Sequence, residues 1–210
     1  MLSFFFATLG SLFSVVNPLG AVPIYLTLTA NATVRDRETA ARKTAMWFSL
    51  ILIVFFFAGT YVLDFFGISL EALRIAGGLI IVNSGYGLLN SKFEERRLSD
   101  EIEEEAQEAD DISFTPMAMP MLSGPGSISL LIGLFAAQSE WVSRGLIVGV
   151  ILVMAVLIWV VLHFAPALFR VLGRGGLAAL SRIMGFLVMA IGIEMLINGL
   201  VLLVSGTLNK

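Results

Sequence analysis

Stretches without a single Asp, Glu, Lys or Arg dominate the chain and alternate with short polar segments. These stretches are 1–34, 44–63, 75–91, 112–139, 145–169 and 183–209, the last interrupted only by Glu194. About 20 apolar residues in a helix cross the roughly 30 Å hydrocarbon core of a bilayer. Because backbone in lipid must satisfy its own hydrogen bonds, helices are the plain interpretation. The pattern therefore predicts an all-α integral membrane protein with six transmembrane helices.

The composition agrees with this class and removes several others. Of 210 residues, 58% are hydrophobic and 14% are charged, and the mean hydropathy is +0.93. A soluble domain averages nearer half apolar and a quarter charged, which excludes a soluble globule, a coiled coil and a nucleic-acid-binding domain. The chain has no cysteine, and His163 is its single histidine, which excludes thiol chemistry and multi-histidine metal sites. We expect no metal and no cofactor.

Basic residues predict the orientation, since cytoplasmic loops of membrane proteins are enriched in Lys and Arg. The loops after the first, third and fifth spans hold Arg35, Arg37, Arg42, Lys43, Lys92, Arg96, Arg97, Arg170, Arg174 and Arg182. The other side holds only Arg74, Arg144 and Lys210. We therefore expect both termini outside. The acidic segment 92–111 becomes a cytoplasmic linker, and a solvated linker is favoured over a cation or partner site.

The chain also contains a repeat. Arg74-Ile75-Ala76-Gly77 on the third span matches Arg182-Ile183-Met184-Gly185 on the sixth. A unit of three spans is odd, so two copies in one chain must face opposite ways across the membrane, as in many secondary transporters. We predict a single membrane domain, 1–210, with a first repeat at 1–91 and a second at 112–210. Chance similarity between apolar helices is the alternative.

Helix breaks in the first and fourth spans are the candidate substrate site. Pro18 suits a first helical position with Asn17 as its N-cap, and Pro125 suits another after Ser123 or Gly124. Each start leaves unpaired N–H groups and a partial positive charge, which two repeats could aim at one carboxylate or phosphate. The candidate substrate-binding residues are Asn17, Pro18, Gly20, Ser123, Gly124, Pro125, Gly126 and Ser127. The alternative is that these residues only kink helices for packing.

Polar residues inside the spans give further candidates. Glu194 lies near the middle of the last span, where a carboxylate must be neutral, paired with another group or exposed to a water-filled cavity. It is therefore the candidate site for a proton that is coupled to transport. A protonated Glu bonded to a neighbouring helix is the alternative. The pore-lining candidates are Asn83, Tyr86 and Asn198. Gly77, Gly78, Gly85 and Gly87 form a small-residue stripe that favours helix packing over a site.

Motifs along the whole chain resemble those of the MarC family of bacterial inner-membrane proteins. The segment NPLGAVP at 17–23 is similar to the family's N-P-(L/I)-G-x-x-P, and PMAMPMLSGPG at 116–126 to its P-L-A-x-P-L-x-A-G-P-G. Further similarities are FGIS at 66–69, LRIAGG at 73–78, RIMG at 182–185 and GIE at 192–194. The resemblance implies six spans and residence in a bacterial or archaeal plasma membrane. It also implies that some members transport glycine, alanine and other small neutral amino acids.

The leading hypothesis is a secondary transporter of small zwitterionic amino acids, coupled to protons or another cation, and not an enzyme. An intramembrane enzyme with a Ser84–His163 pair is a rival, although these residues belong to non-equivalent spans. A passive channel and a membrane scaffold or sensor are further rivals. The expected partners are the bilayer, a small-molecule substrate and, because glycine-rich faces permit it, a second copy of the chain.

Overall fold

The computed structural model describes residues 1–90 and 111–208. Every regular element within those residues is a helix, which confirms the all-α class for the described part of the chain. The elements are α1 (Leu2–Val16), α2 (Ala21–Leu28), α3 (Val34–Phe66), α4 (Leu70–Leu89), α5 (Ser113–Leu122), α6 (Pro125–Ala137), α7 (Trp141–His163) and α8 (Ala165–Leu208). The predicted acidic linker at 92–111 lies outside the described residues, except for Asp111.

Within the described residues, four stretches are long and apolar enough to cross a membrane on their own: α3, α4, α7 and Gly175–Ser205 within α8. Two bent pairs are further candidates, since α1 and α2 meet at 51° and α5 and α6 meet at 63°. The protein is therefore a multi-pass membrane protein, and its described part contains four candidate spans, or up to six if each bent pair crosses. Both bends fall in the stretches where the sequence predicts broken helices.

The last helix differs from the prediction, which placed a basic loop between the stretches 145–169 and 183–209. The structure ends α7 at His163 and begins α8 at Ala165. The helical backbone of α8 is interrupted at Gly173, whose φ is 62°. Glycine adopts this angle readily because it has no Cβ atom to clash with the backbone. Arg170 and Arg182 therefore lie on a helix, where long basic side chains can reach the membrane surface.

Side-chain caps fix where α3 and α4 begin. The hydroxyl of Thr33 accepts a hydrogen bond from the Asp36 N–H, and that of Ser69 accepts one from the Ala72 N–H, both at 3.2 Å. Between these helices Gly67 ends α3 in the left-handed conformation, with φ at 66°. This short reversal returns the chain across the molecule and brings α4 beside α6 and α8.

The core lies between α3 and α7, with α1, α5 and α6 packed around it. Fully buried side chains fill it from both helices, including Phe48 and Phe56 of α3 and Ile151 and Met154 of α7. In a bilayer the driving force between helices is close packing rather than exclusion of water. The tight α3–α7 contact therefore forms the frame on which the two bent pairs are held.

Close backbone contact joins α4 to α8. A Cβ on Gly78 would lie 2.8 Å from the carbonyl oxygen of Gly192, and a Cβ on Gly85 would lie 2.7 Å from that of Gly185. As the number rises on α4 it falls on α8, so the two helices run antiparallel. The predicted packing role is confirmed for Gly78 and Gly85.

Polar contacts tie α3 to its neighbours at one end of the molecule. The carboxylate of Glu38 accepts a hydrogen bond from Trp159 Nε1 at 3.0 Å and pairs with Nδ1 of His163. On the next turn of α3, Lys43 Nζ lies 2.7 Å from Asp111 Oδ2. His163 is thus the last residue of α7 and an inter-helix partner.

Candidate functional site

A cavity of about 410 Å³ lies where the two bent pairs meet. The first bend lines it with Val16, Asn17 and Gly20, and the second with Gly124, Pro125, Gly126 and Ser127. α2, α4, α5 and α8 supply the rest of the wall. Small-molecule sites typically occupy about 300–1,000 Å³ and are mostly apolar with a few convergent polar groups. The structure therefore brings both predicted helix breaks to a single partly open cavity of suitable size.

The first break is built differently from the prediction, which made Asn17 the N-cap of a helix starting at Pro18. The Asn17 N–H still donates to the Phe13 carbonyl at 2.9 Å, so Asn17 ends α1, with a left-handed φ of 46°. Its side-chain oxygen accepts a hydrogen bond from the Gly20 N–H at 3.3 Å. The next helix begins only at Ala21. Asparagine tolerates this conformation because its short polar side chain bonds locally.

The second break follows the prediction. Gly124 is the N-cap of α6 and Pro125 its first residue, where the absent N–H costs nothing. The Ser127 hydroxyl donates to the Gly124 carbonyl at 2.9 Å, and the Ile128 N–H donates to the same oxygen at 3.2 Å. The N–H groups of Gly126 and Ser127 belong to the first turn, which has no intrahelical acceptors. They give this edge of the cavity a partial positive charge.

The chain just before the second break is irregular. Within α5, Thr115 and Met119 have extended backbone angles, and each precedes a proline that cannot donate to a helix. Ser123, at the end of this segment, is fully buried, and its hydroxyl has no hydrogen-bond partner among the described residues. Ser123 does not belong to the cavity lining, unlike the other predicted residues of this break.

The remaining residues that line the cavity have apolar or uncharged polar side chains. Ile24, Ile80, Ile81, Met121, Leu88 and Val188 form most of the wall. Asn83, Ser84 and Ser181 add polar side chains, and none of the lining residues carries an ionisable side chain. Ser84 and Ser181 were not predicted as lining residues, since a serine inside an apolar helix does not reveal which face it occupies. Among the described residues no three His, Asp or Glu side chains cluster as metal ligands.

The polar residues predicted inside the third and sixth spans separate into two groups. Asn83 lines the cavity. Tyr86 is 61% exposed, and Glu194 and Asn198 are exposed as well, none of them on the cavity wall. On α8 the residues that touch α4, such as Gly192 and Leu196, lie on the opposite face from Glu194. The structure therefore places Glu194 away from both α4 and the cavity.

The end of α4 that carries Arg74 packs against α6 and does not line the cavity. Gly77 packs so tightly there that an added Cβ would lie 2.4 Å from the Cβ of Ser129 on α6. One turn away, Arg74 Nη2 reaches the Gly133 carbonyl at 3.5 Å. The α4–α6 contact therefore lies beside the site, whose lining on α4 extends from Ile80 to Leu88.

Asp111, just before α5, forms an ion pair with Lys43 of α3. Burial would raise the pKa of Asp111, but hydrogen bonds from Lys43 and Ser113 outweigh it and hold the pKa below its usual value of 3.8. The Ser113 N–H donates to Asp111 Oδ1 at 3.0 Å. The aspartate is therefore ionised at neutral pH and fixes the start of α5 against α3.

Similarity to known proteins covers nearly the whole chain. The profile described as "MarC family integral membrane protein" matches residues 2–204. A UPF0056 membrane protein of Methanocaldococcus jannaschii is 35% identical over 199 residues, covering 95% of this chain and 97% of the relative. The UPF0056 inner membrane protein MarC of Escherichia coli (strain K12) is 33% identical over 201 residues, covering 90% of each chain. No solved structure matches this chain.

Proposed function

We propose that this chain, which belongs to the MarC family of integral membrane proteins, is a secondary transporter of small neutral amino acids across the plasma membrane. The observation that carries the proposal is that two broken helices, far apart in sequence, line one cavity. Broken helices whose ends meet at a cavity are the usual construction of a substrate site in secondary transporters.

The helix ends around the cavity suit a zwitterion. α1 ends at Val16 with Asn17 as its cap, so its last carbonyl groups present partial negative charge. α6 begins at Pro125, and the N–H groups of Gly126 and Ser127 present partial positive charge. A bound amino acid would place its ammonium group at the end of α1 and its carboxylate at the start of α6. The Asn17 amide and the neighbouring hydroxyls would complete the hydrogen bonds.

The neutral lining supports discrimination against charged solutes. Transfer of an ionised side chain from water into a cavity without a counter-charge costs several kcal/mol or shifts its pKa. No lining residue carries an ionisable side chain that could offset this cost. Glycine, alanine and similar solutes bring only the paired charges of their own backbone. We therefore propose that Lys, Arg, Asp and Glu are excluded.

Two inverted repeats would provide the motion. Helices at equivalent positions of the two proposed repeats also pack against each other, α3 against α7 and α4 against α8. This pairing is expected if a pseudo-twofold axis lies in the membrane plane between the halves. In the proposed six-span arrangement both termini lie outside, and one half rocks against the other around the cavity.

Proton coupling through Glu194 is a separate part of the proposal, because Glu194 does not line the cavity. The variant Glu194→Gln keeps the size and hydrogen bonding of the side chain but cannot bind or release a proton. We expect it to equilibrate substrate across the membrane without accumulating it. Accumulation by Glu194→Gln at the wild-type level would remove the coupling role and leave the substrate site untouched.

Uptake of radiolabelled glycine and alanine into proteoliposomes tests the substrate site. The variant Asn17→Gly keeps the left-handed backbone but removes the amide from the cavity, and Asn31→Gly makes the same change in an exposed loop. We expect Asn17→Gly to raise the KM about tenfold, the value of one hydrogen bond of about 1.4 kcal/mol, and Asn31→Gly to leave it unchanged. Equal KM values in all three proteins would refute the site.

A further inference from the structure

The outward face of α8 carries polar groups at a depth where lipid offers them no partner. Glu194 lies four residues from Ala190, the centre of the Gly175–Ser205 stretch, or about 6 Å along the helix axis. It is the one carboxylate among the described residues that lies so deep in an apolar span, and it is exposed. Asn198 follows one turn later on the same face and is exposed too. Such residues rarely face lipid.

The spacing around these residues is that of a helix–helix seam. Among the many exposed positions of this stretch, a subset that includes both polar residues follows in steps of four and three: Leu187, the half-exposed Ile191, Glu194, Asn198, Val201 and Ser205. A mean spacing of 3.5 residues keeps one stripe of a helix in contact with a parallel partner helix. In the apolar 18-residue segment of this stretch only 17% of the residues are buried within the chain, compared with 39% in the corresponding segment of α7. A surface for another helix is therefore present and uncovered.

We infer that this seam binds the α8 seam of a second copy of the chain. Two copies in one membrane are related by a twofold axis along the membrane normal, so their α8 helices run parallel and equal residues face each other. The Asn198 amide both donates and accepts hydrogen bonds, and it can donate to the Glu194 carboxyl group of the other copy, which makes the stripe complementary to itself. A single polar position in such a seam also fixes register. The inference concerns assembly and does not rest on the proposed transport.

Cross-linking tests the seam cleanly because the natural chain has no cysteine. Leu187→Cys and Val201→Cys place a thiol two turns before and after Glu194, and Val156→Cys places one on an apolar position of α7 whose exposure of 57% lies between the 41% of Leu187 and the 60% of Val201. In liposomes at high lipid-to-protein ratio, mild oxidation should yield at least about tenfold more covalent dimer for the two α8 variants than for Val156→Cys. Equal yields in all three, or no dimer at any ratio, would overturn the inference.

Replacing the two polar side chains distinguishes a helix–helix seam from a surface that faces lipid. In the Val201→Cys background, Glu194→Leu with Asn198→Leu should abolish the covalent dimer, and Glu194→Gln should retain it. Unchanged thermal unfolding of the purified double variant keeps the result independent of misfolding. An undiminished dimer in the double variant would overturn the role of these two residues. A cross-linked product whose mass differs from that of the homodimer, formed in native membranes in place of the homodimer, would assign the face to another protein.

Discussion

A single hydroxyl beside the second break illustrates the residue scale. Ser123 is fully buried, and its oxygen has no hydrogen-bond partner among the described residues. Ser127, four positions later, is also buried, but its hydroxyl donates to the Gly124 carbonyl at 2.9 Å. A buried polar group without a partner costs about 1–3 kcal/mol, and a bonded one contributes about 1 kcal/mol. The two serines should therefore respond in opposite directions to the same substitution.

We predict that Ser123→Ala raises the free energy of unfolding in the absence of substrate and that Ser127→Ala lowers it, each by about 1 kcal/mol. Thermal unfolding of the purified variants in one detergent measures both. The two variants serve as controls for each other, because each loses one buried hydroxyl. A loss of stability in Ser123→Ala would mean that its oxygen has a partner.

The ion pair of Asp111 with Lys43 predicts a pH dependence. The folded pKa of Asp111 lies below its usual 3.8, so the pair stabilises the protein fully above that value and is lost as pH falls through the folded pKa. Both side chains are more than 40% exposed, which limits the contribution to about 1 kcal/mol or less. Asp111→Asn should therefore unfold more easily than wild type at pH 7 but not at pH 2. A gap that persists at pH 2 would contradict the assignment.

At this scale the sequence predicts some roles and misses others. Proline at a first helical position is a strong signal, and Pro125 does begin α6. Asn17 precedes a proline too, but there α1 continues until Asn17 itself, and the next helix waits until Ala21. Asparagine is favourable at both ends of a helix, so the residue type alone does not show whether Asn17 ends α1 or begins the next helix. The local hydrogen bond to Gly20 decides it in the folded chain.

At the scale of the helices, the close packing of α4 against α8 depends on glycine. A Cβ on Gly85 would meet the Gly185 carbonyl oxygen and the Met189 amide nitrogen at 2.7 Å each. Both are backbone atoms, which cannot move aside without shifting a helix. Gly145 on α7 has open space where its Cβ would be. The same substitution at these two positions therefore separates packing from intrinsic helix propensity.

We predict that Gly85→Ala destabilises the protein by about 1–3 kcal/mol through overpacking, whereas Gly145→Ala stabilises it by about 0.5–1 kcal/mol through helix propensity. Chemical unfolding in mixed micelles gives both values. If Gly85→Ala is as stable as Gly145→Ala, α4 and α8 are not in backbone contact.

The sequence predicts the helical elements well and their limits less well. Both bends fall in the predicted stretches, because proline and glycine interrupt helices by their own backbone chemistry. The start of α8 was missed, because Arg170 resembles a loop residue by charge although it lies on a helix. The direction of each polar face also depends on tertiary contact. Nothing local places Asn83 on the cavity and Glu194 off it.

At the scale of the whole molecule, the number of spans is the open structural prediction. If α1 with α2 crosses the membrane, the two ends of that pair lie on opposite sides, whereas a re-entrant pair returns both to one side. The same holds for α5 with α6. The exposed sites Ser3, Asn31 and Ser139 therefore distinguish six spans from four.

We predict that a membrane-impermeant maleimide labels Ser3→Cys and Ser139→Cys on intact cells, and labels Asn31→Cys only after permeabilisation. The charge distribution supports this orientation, because Lys and Arg concentrate after the first, third and fifth stretches. The Cys-free wild type is the background control. Labelling of Ser3→Cys and Asn31→Cys from the same side would favour a re-entrant first pair.

Protection of a cavity residue tests the central claim most directly. Ser84 lines the cavity, is exposed, and can be replaced by cysteine with little change in size. We predict that Ser84→Cys reacts with a small water-soluble methanethiosulfonate and that glycine or alanine slows the reaction, whereas lysine or glutamate does not. Ser3→Cys should react without protection. If no small neutral amino acid changes the rate at Ser84→Cys, the cavity between the two breaks does not bind the proposed substrates.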